Sequence, residues 1–212
     1  MVEKEAEEEK KDMPEADSLG TGRILSTAFR LLVVTIALTS LVYTLTTTGI
    51  GGLFWGDRAR GDLVRVDGQL VGSRLVGQEF DSDKYFHPRP SSKGYDASDS
   101  GSANLAPTNE KLTERAKNII SHLTDNGVGR RQIPVSFVTE SGSALDPHIV
   151  PASALMQVPR ISEATGISQE KLKKIVNDNV EGKFLGIYGQ KRVNVLALNL
   201  RIWELTGKRS HE

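Results

Sequence analysis

Ser141-Gly-Ser143 and Asp146-Pro-His148 place hydroxyl, carboxylate and imidazole within eight residues of one another. These are the groups from which a serine nucleophile is assembled, but geometry rather than closeness in sequence makes a triad. No G-x-S-x-G elbow surrounds either serine. The structural alternative is that Asp146 and His148 cap a helix starting behind Pro151. The other histidines, His87, His122 and His211, form no pair at metal-ligand spacing, and H-E-x-x-H is absent. No cysteine occurs, which removes disulfides, thiolate metal sites and cysteine nucleophiles. Phosphate-binding loops are missing too: Gly182-Lys183 runs into Phe184 and Gly207-Lys208 into Arg209, and no D-K-T-G phosphorylation sequence is present. The carboxylates are scattered. Asp81, Asp83, Asp96 and Asp99 could attract cations, although acidic loops are ordinarily just solvated.

The elements that would position such groups begin with a span. Leu31 to Trp55 is 25 residues without a charge or a histidine. About 20 residues cross a bilayer core of roughly 30 Å. The run exceeds a cleavable signal's apolar region and no A-x-A-like site follows it, which predicts a retained anchor. At 100° per residue Thr35, Thr39, Tyr43 and Thr46 share one stripe opposite Val34, Leu38, Leu41 and Leu45. Hydroxyls and small residues on one face suit packing against another helix in lipid. Equally, each threonine could bond back to its own helix. Flanking arginines on both sides leave the orientation open by charge.

Residues 1–22 open with eight acids and three lysines in the first 17 positions, predicting a disordered acidic tail. The span is then taken as 23–55 and one domain as 56–212. The 27 basic and 27 acidic residues cancel and no basic stripe emerges, so nucleic acid is not an expected partner. Within the domain, Val64–Val71 around Asp67-Gly68 predicts a hairpin with a type I′ turn. Residues 77–107 predict a long loop, partly packed through Tyr85, Phe86 and Tyr95. A helix over about 109–124, capped by Thr108, has one apolar face of Leu112, Ala116, Ile119, Ile120 and Leu123. Val135–Thr139 reads as a strand. Pro151 starts a short helix to Val158, and Pro159 another. Ser168 and Asn194 cap two more helices, with Gly207 stopping the last. The fold class is α+β behind one transmembrane helix.

Several strings occur in a telling order. Gly77-Gln-Glu-Phe80 and Tyr85-Phe-His-Pro-Arg-Pro-Ser91 are similar to "GQxF … YFHGRPS", and Ser100–Asn109 to an "SGGSNL" loop. Val138–Ile149, Pro151-Ala152 and Gln157–Arg160 form the closest block, and Leu185–Leu200 is similar to "LGxxGxxxVNVLxLNL". Together they resemble the C subunit family of the Kdp potassium-transporting P-type ATPase. Pro88 departs from the expected glycine, and Ser102-Ala103 from a Gly-Ser pair. The resemblance covers about residues 24–205. It marks as structural or interface positions Gln78, Phe80, Tyr85, Phe86, Arg89, Pro90, Ser91, Gly101, Asn104, Leu105, Ser141, Gly142, Ser143, Asp146, Pro147, His148, Gln157, Pro159, Arg160, Asn194 and Asn199.

The resemblance implies a non-catalytic subunit that assembles and stabilises a high-affinity potassium pump. Its partners would be a channel-like potassium-binding A subunit, an ATPase B subunit, a small F subunit and membrane lipid. It implies a single pass through the plasma membrane, with the N-terminus cytoplasmic and the domain outside. No cofactor or metal is expected on the chain itself; ATP and potassium belong to the complex. An acidic tail of net charge near −5, from eight acids and three lysines, would repel ATP. From residues alone, a membrane-anchored serine hydrolase using Ser141 or Ser143 with His148, or a stand-alone ligand-binding domain, stays open.

Overall fold

The computed structural model describes residues 20–207. The acidic tail therefore lies outside the described residues up to position 19, as does His211. The chain divides into two units, residues 1–59 and 60–212.

The first unit is helix α1, Thr21–Ala59, 39 residues with no buried side chain. It is long and apolar enough to cross a membrane. Ala37–Tyr43 in its middle are wound as a π-helix, and Gly56 (φ 24°, ψ −95°) kinks it just after the apolar run ends. The Thr39 hydroxyl donates to the Thr35 carbonyl (2.7 Å), and Thr47 does the same to Tyr43 (2.8 Å). A π segment winds wider than 3.6 residues per turn. Residues past Tyr43 are thereby rotated off the line through Thr35 and Thr39, and Thr46 leaves the stripe that a uniform 100° step assigns to it.

The second unit is α+β. Strands β1 (Leu63–Val66) and β2 (Gln69–Ser73) form an antiparallel hairpin. Its turn residues Asp67 (φ 51°) and Gly68 (φ 80°) both take the left-handed conformation that a type I′ turn needs. A register shift at Val64/Arg65 bends the ribbon. After the long loop come helix α2 (Glu110–Asp125), a 3₁₀ turn (Arg130–Gln132) and the short helix α3 (Val135–Val138). Strand β3 (His148–Ile149), helices α4 (Pro151–Thr165) and α5 (Gln169–Asp178), strands β4 (Val180–Glu181) and β5 (Arg192–Asn194) and helix α6 (Val195–Gly207) complete it. The sheet order is β3-β5-β4, all antiparallel. Its inner side chains Ile149 and Val193 pack with Val158 and Ile161 of α4, Leu172 and Val176 of α5, and Leu198 and Ile202 of α6. This core also takes Phe86 from the long loop, with no surface exposed.

Four local expectations change. Asn109, not Thr108, caps α2, its Oδ1 accepting from the Lys111 N–H at 3.0 Å. Val135–Val138 is a helical turn rather than a strand. Pro134 presets the entry, and Phe137 N–H to Pro134 O (2.9 Å) and Thr139 N–H to Val135 O (3.1 Å) satisfy locally what a strand would need a neighbour to supply. Pro159 sits inside α4 instead of starting a new helix. Val158 and Ile161, both fully buried, anchor the turns either side of it, so packing overrides the break. Finally, α4 has no side-chain cap. The Asp146 carboxylate instead accepts from the His148 N–H (3.0 Å) and closes a turn before β3.

Candidate functional site

The motif residues meet around the loop 77–107. Asn199, 3% exposed on α6, grips Phe86 on both sides: its Oδ1 accepts from the Phe86 N–H (2.7 Å) and its Nδ2 donates to the Phe86 carbonyl (2.9 Å). Gln157 on α4 repeats the device one residue on. Its Oε1 accepts from His87 N–H (2.8 Å) and its Nε2 donates to the His87 carbonyl (3.1 Å). Two side-chain amides thus play the part of neighbouring strands for a backbone that has none. Arg160 sits one helical turn from Gln157, donates to its Oε1 (2.9 Å), and reaches the carbonyls of Asp83 (2.6 Å) and Tyr85 (2.9 Å). Phe80 and Tyr85 close the cluster with ring centroids 6.0 Å apart.

Arg89 does for the next segment what Arg160 does for this one. Its guanidinium donates to the carbonyls of Ser136 (3.2 Å), Thr139 (3.4 Å) and Glu140 (3.0 Å) and to the Asp146 carboxylate (3.2 Å). Pro90 O accepts from Ser141 N–H (3.3 Å), and the Ser91 hydroxyl accepts from Lys93 and Tyr95 N–H groups (both 3.2 Å). The Tyr95 hydroxyl donates to the Arg89 carbonyl at 2.6 Å. Burial, with Glu79 and Asp81 nearby, pushes its pKa up to about 12, so it stays a donor. Burial alone would raise the Asp146 carboxyl. Hydrogen bonds from His148 and the Arg89 charge outweigh that and hold it below the usual range. Glu140 likewise stays below its usual range against burial, held by Ser92 and Arg115.

The remaining motif positions tie the ends together. Gln78 Nε2 donates to Val71 O (3.2 Å). Gly77 donates to Leu145 O (2.7 Å), and a Cβ there would stand 2.8 Å from Asp146 O. Gly101, at φ 140°, donates to Ser143 O (2.9 Å), and Asn104 (φ 48°) accepts from Ser102. Leu105 is half-buried and Gly142 exposed. Pro147 O accepts from Val195 N–H (2.9 Å). Asn194 Oδ1 caps α6 through Ala197 N–H (3.0 Å) while its Nδ2 donates to Arg74 O (2.8 Å).

This arrangement holds backbone, and it does not bring Ser141 or Ser143 together with His148. The hydroxyls of Ser141 and Ser143 bond one another at 3.1 Å, and Ser141 is buried. The His148 ring faces two carboxylates instead, Nδ1 3.6 Å from Asp146 and Nε2 4.0 Å from Glu181. A serine nucleophile needs its base against the hydroxyl. Among the described residues no three His, Asp or Glu side chains gather as metal ligands. Asp83 pairs with Arg160, Asp99 with Lys93, and Asp96 bonds Ser98. A cleft of about 1260 Å³ runs between α2 and α4, lined by Ile119, Leu123, Phe137, Leu155 and Met156, with His87, His122 and Arg160 at its polar parts. The amide clamps and the cleft were not anticipated from sequence. The clamps join residues 113 and 70 positions apart, and only the polar character of Asn199 and Gln157 on apolar helix faces signals them.

Fold and motif cluster together define a class: a mixed helix–sheet domain, braced by side-chain amides and arginines, behind one helix fit to span a membrane. The chain belongs to the KdpC family, described as the K+-transporting ATPase c chain, whose profile matches residues 25–204. It is 44% identical over 185 residues to the potassium-transporting ATPase KdpC subunit of Caldanaerobacter subterraneus subsp. tengcongensis, covering 86% of this chain and 96% of that protein. The KdpC subunit of Koribacter versatilis is 45% identical over 178 residues (83% and 92% covered), and that of Mycobacterium tuberculosis 44% over 184 residues (85% and 97%).

Proposed function

We propose that this chain is the accessory subunit of a potassium-transporting ATPase, anchored by α1 and contributing assembly and stability rather than chemistry. The observation that carries the reading is the family match over residues 25–204, which takes in both the span and the braced domain. The site geometry supports a non-catalytic role, because the residues that matched the family motifs are occupied in holding loop backbone. In this reading the partners are the channel-like A subunit, the ATPase B subunit and the small F subunit. ATP and potassium are handled by the complex. The N-terminus lies in the cytoplasm and residues 56–212 lie outside the plasma membrane.

Potassium uptake at limiting external potassium tests this. Deleting the gene for this chain abolishes ATP-driven uptake while the other subunits remain in the membrane, and restoring the chain restores it. Uptake that is unchanged by the deletion rules the reading out.

A further inference from the structure

The segment between β4 and β5, residues 182–191, contains an apolar tip that the domain itself does not use. Phe184, Leu185, Ile187 and Tyr188 are 71%, 75%, 71% and 68% exposed. Single exposed hydrophobic residues are ordinary, but four within five positions form a patch.

The tip is also closed by its own backbone hydrogen bonds. Phe184 N–H donates to Tyr188 O (2.8 Å), Tyr188 N–H to Phe184 O (3.0 Å) and Ile187 N–H to Phe184 O (3.1 Å). Leu185 (φ 51°) and Gly186 (φ 73°) are both left-handed, the geometry of a type I′ turn. Glycine accepts this freely and leucine does not. Asparagine, aspartate or glycine would serve the turn better, and the leucine side chain returns nothing by packing inside the domain. A strained backbone displaying an unpacked leucine is a shape held ready for something else. Exposed Lys183 and Lys191 flank it, while Arg192 is paired with Glu181 at 2.9 Å.

We propose that this tip is the plug by which the domain docks on the potassium-admitting membrane chain of the same ATPase. Phe184, Leu185, Ile187 and Tyr188 fill an apolar pocket, and Lys183 and Lys191 lie over its acidic rim. This rests on the subunit reading above. The turn selects a protein pocket over the bilayer surface. Lipid rewards apolar area and basic charge but has no use for a turn conformation that leucine resists, whereas a shaped pocket does. Among protein partners, the charge fits a chain that admits K+: such a chain gathers the ion with acidic groups at its mouth, which complement two lysines.

The test uses the complete complex expressed with all its subunits. A benzophenone side chain at Ile187 cross-links to the potassium-admitting membrane chain. The double variant Leu185→Asp/Ile187→Asp lowers recovery of that chain after a dilution wash by at least about tenfold, as loss of a central hot spot does. Val135→Asp, a control at another exposed apolar residue, leaves recovery unchanged. Unaltered thermal unfolding of the double variant shows that the domain still folds. Full recovery by the double variant, equal losses in double variant and control, or cross-links only to lipid each overturn the plug. A wild-type chain that recovers no membrane partner overturns the subunit reading itself.

Discussion

Asn199 shows how a single side chain can stand in for an element. Truncating it strands a buried N–H and a buried carbonyl of Phe86, each expensive to leave unpaired. Asn199→Ala is expected to cost about 2–5 kcal/mol in denaturant unfolding of the domain. A loss under half a kilocalorie would mean that water or a backbone shift replaces the clamp. The titrating residues predict acid sensitivity in two stages. Burial, then the Arg160 charge, holds the His87 imidazole below its ordinary 6.5. The unfolded chain therefore binds that proton first, and stability falls as pH drops below about 6.5 until folded His87 also titrates. Asp146 and Glu140 have depressed folded pKa values. Their contribution is present above the ordinary carboxylate range and is lost as pH falls from that range through the lower folded values. Melting temperatures measured from pH 8 to 3 should show both declines, and His87→Gln should remove only the first. A flat profile from pH 7 to 5 in the wild type would contradict the assignment.

Elements with strong periodicity or a cap were readable from sequence, and those set by distant partners were not. α2, α5 and α6 carried apolar faces at helical spacing, and Asp67-Gly68 named its own turn. The sheet strands β3 and β4 are two residues each and β5 three, too short for alternation to register. Val135–Val138 has strand composition but no neighbouring edge to pair with, so it coils. The motif cluster was visible as a set of strings. Its purpose was hidden, because Asn199, Gln157, Arg89 and Arg160 act on backbone far away in the chain. In α1 the donor on Thr39 is spent on Thr35. If the helix docks, it therefore docks by shape, and the two substitutions should part company. Thr39→Val, of equal size, keeps the complex intact in mild detergent. Changing Thr35 and Thr39 together to leucine fills the small-residue face and releases the chain. Retention of the complex in that double-leucine variant would show that this face does not dock.

At the scale of the molecule, a long apolar helix is joined through a few residues to a domain whose motif residues brace a 31-residue loop, 77–107. There Ser141 and Ser143 bond one another and not His148, and the strained, unpacked hairpin tip is exposed. In the proposed reading such a molecule holds on to other chains. The most direct test is affinity purification of the tagged full-length chain in mild detergent from cells producing the whole transporter at low potassium. The account predicts that a multi-span membrane subunit and potassium-stimulated ATP hydrolysis elute with the chain. Elution of the chain alone, with the potassium-stimulated ATPase left complete in the flow-through, would contradict it.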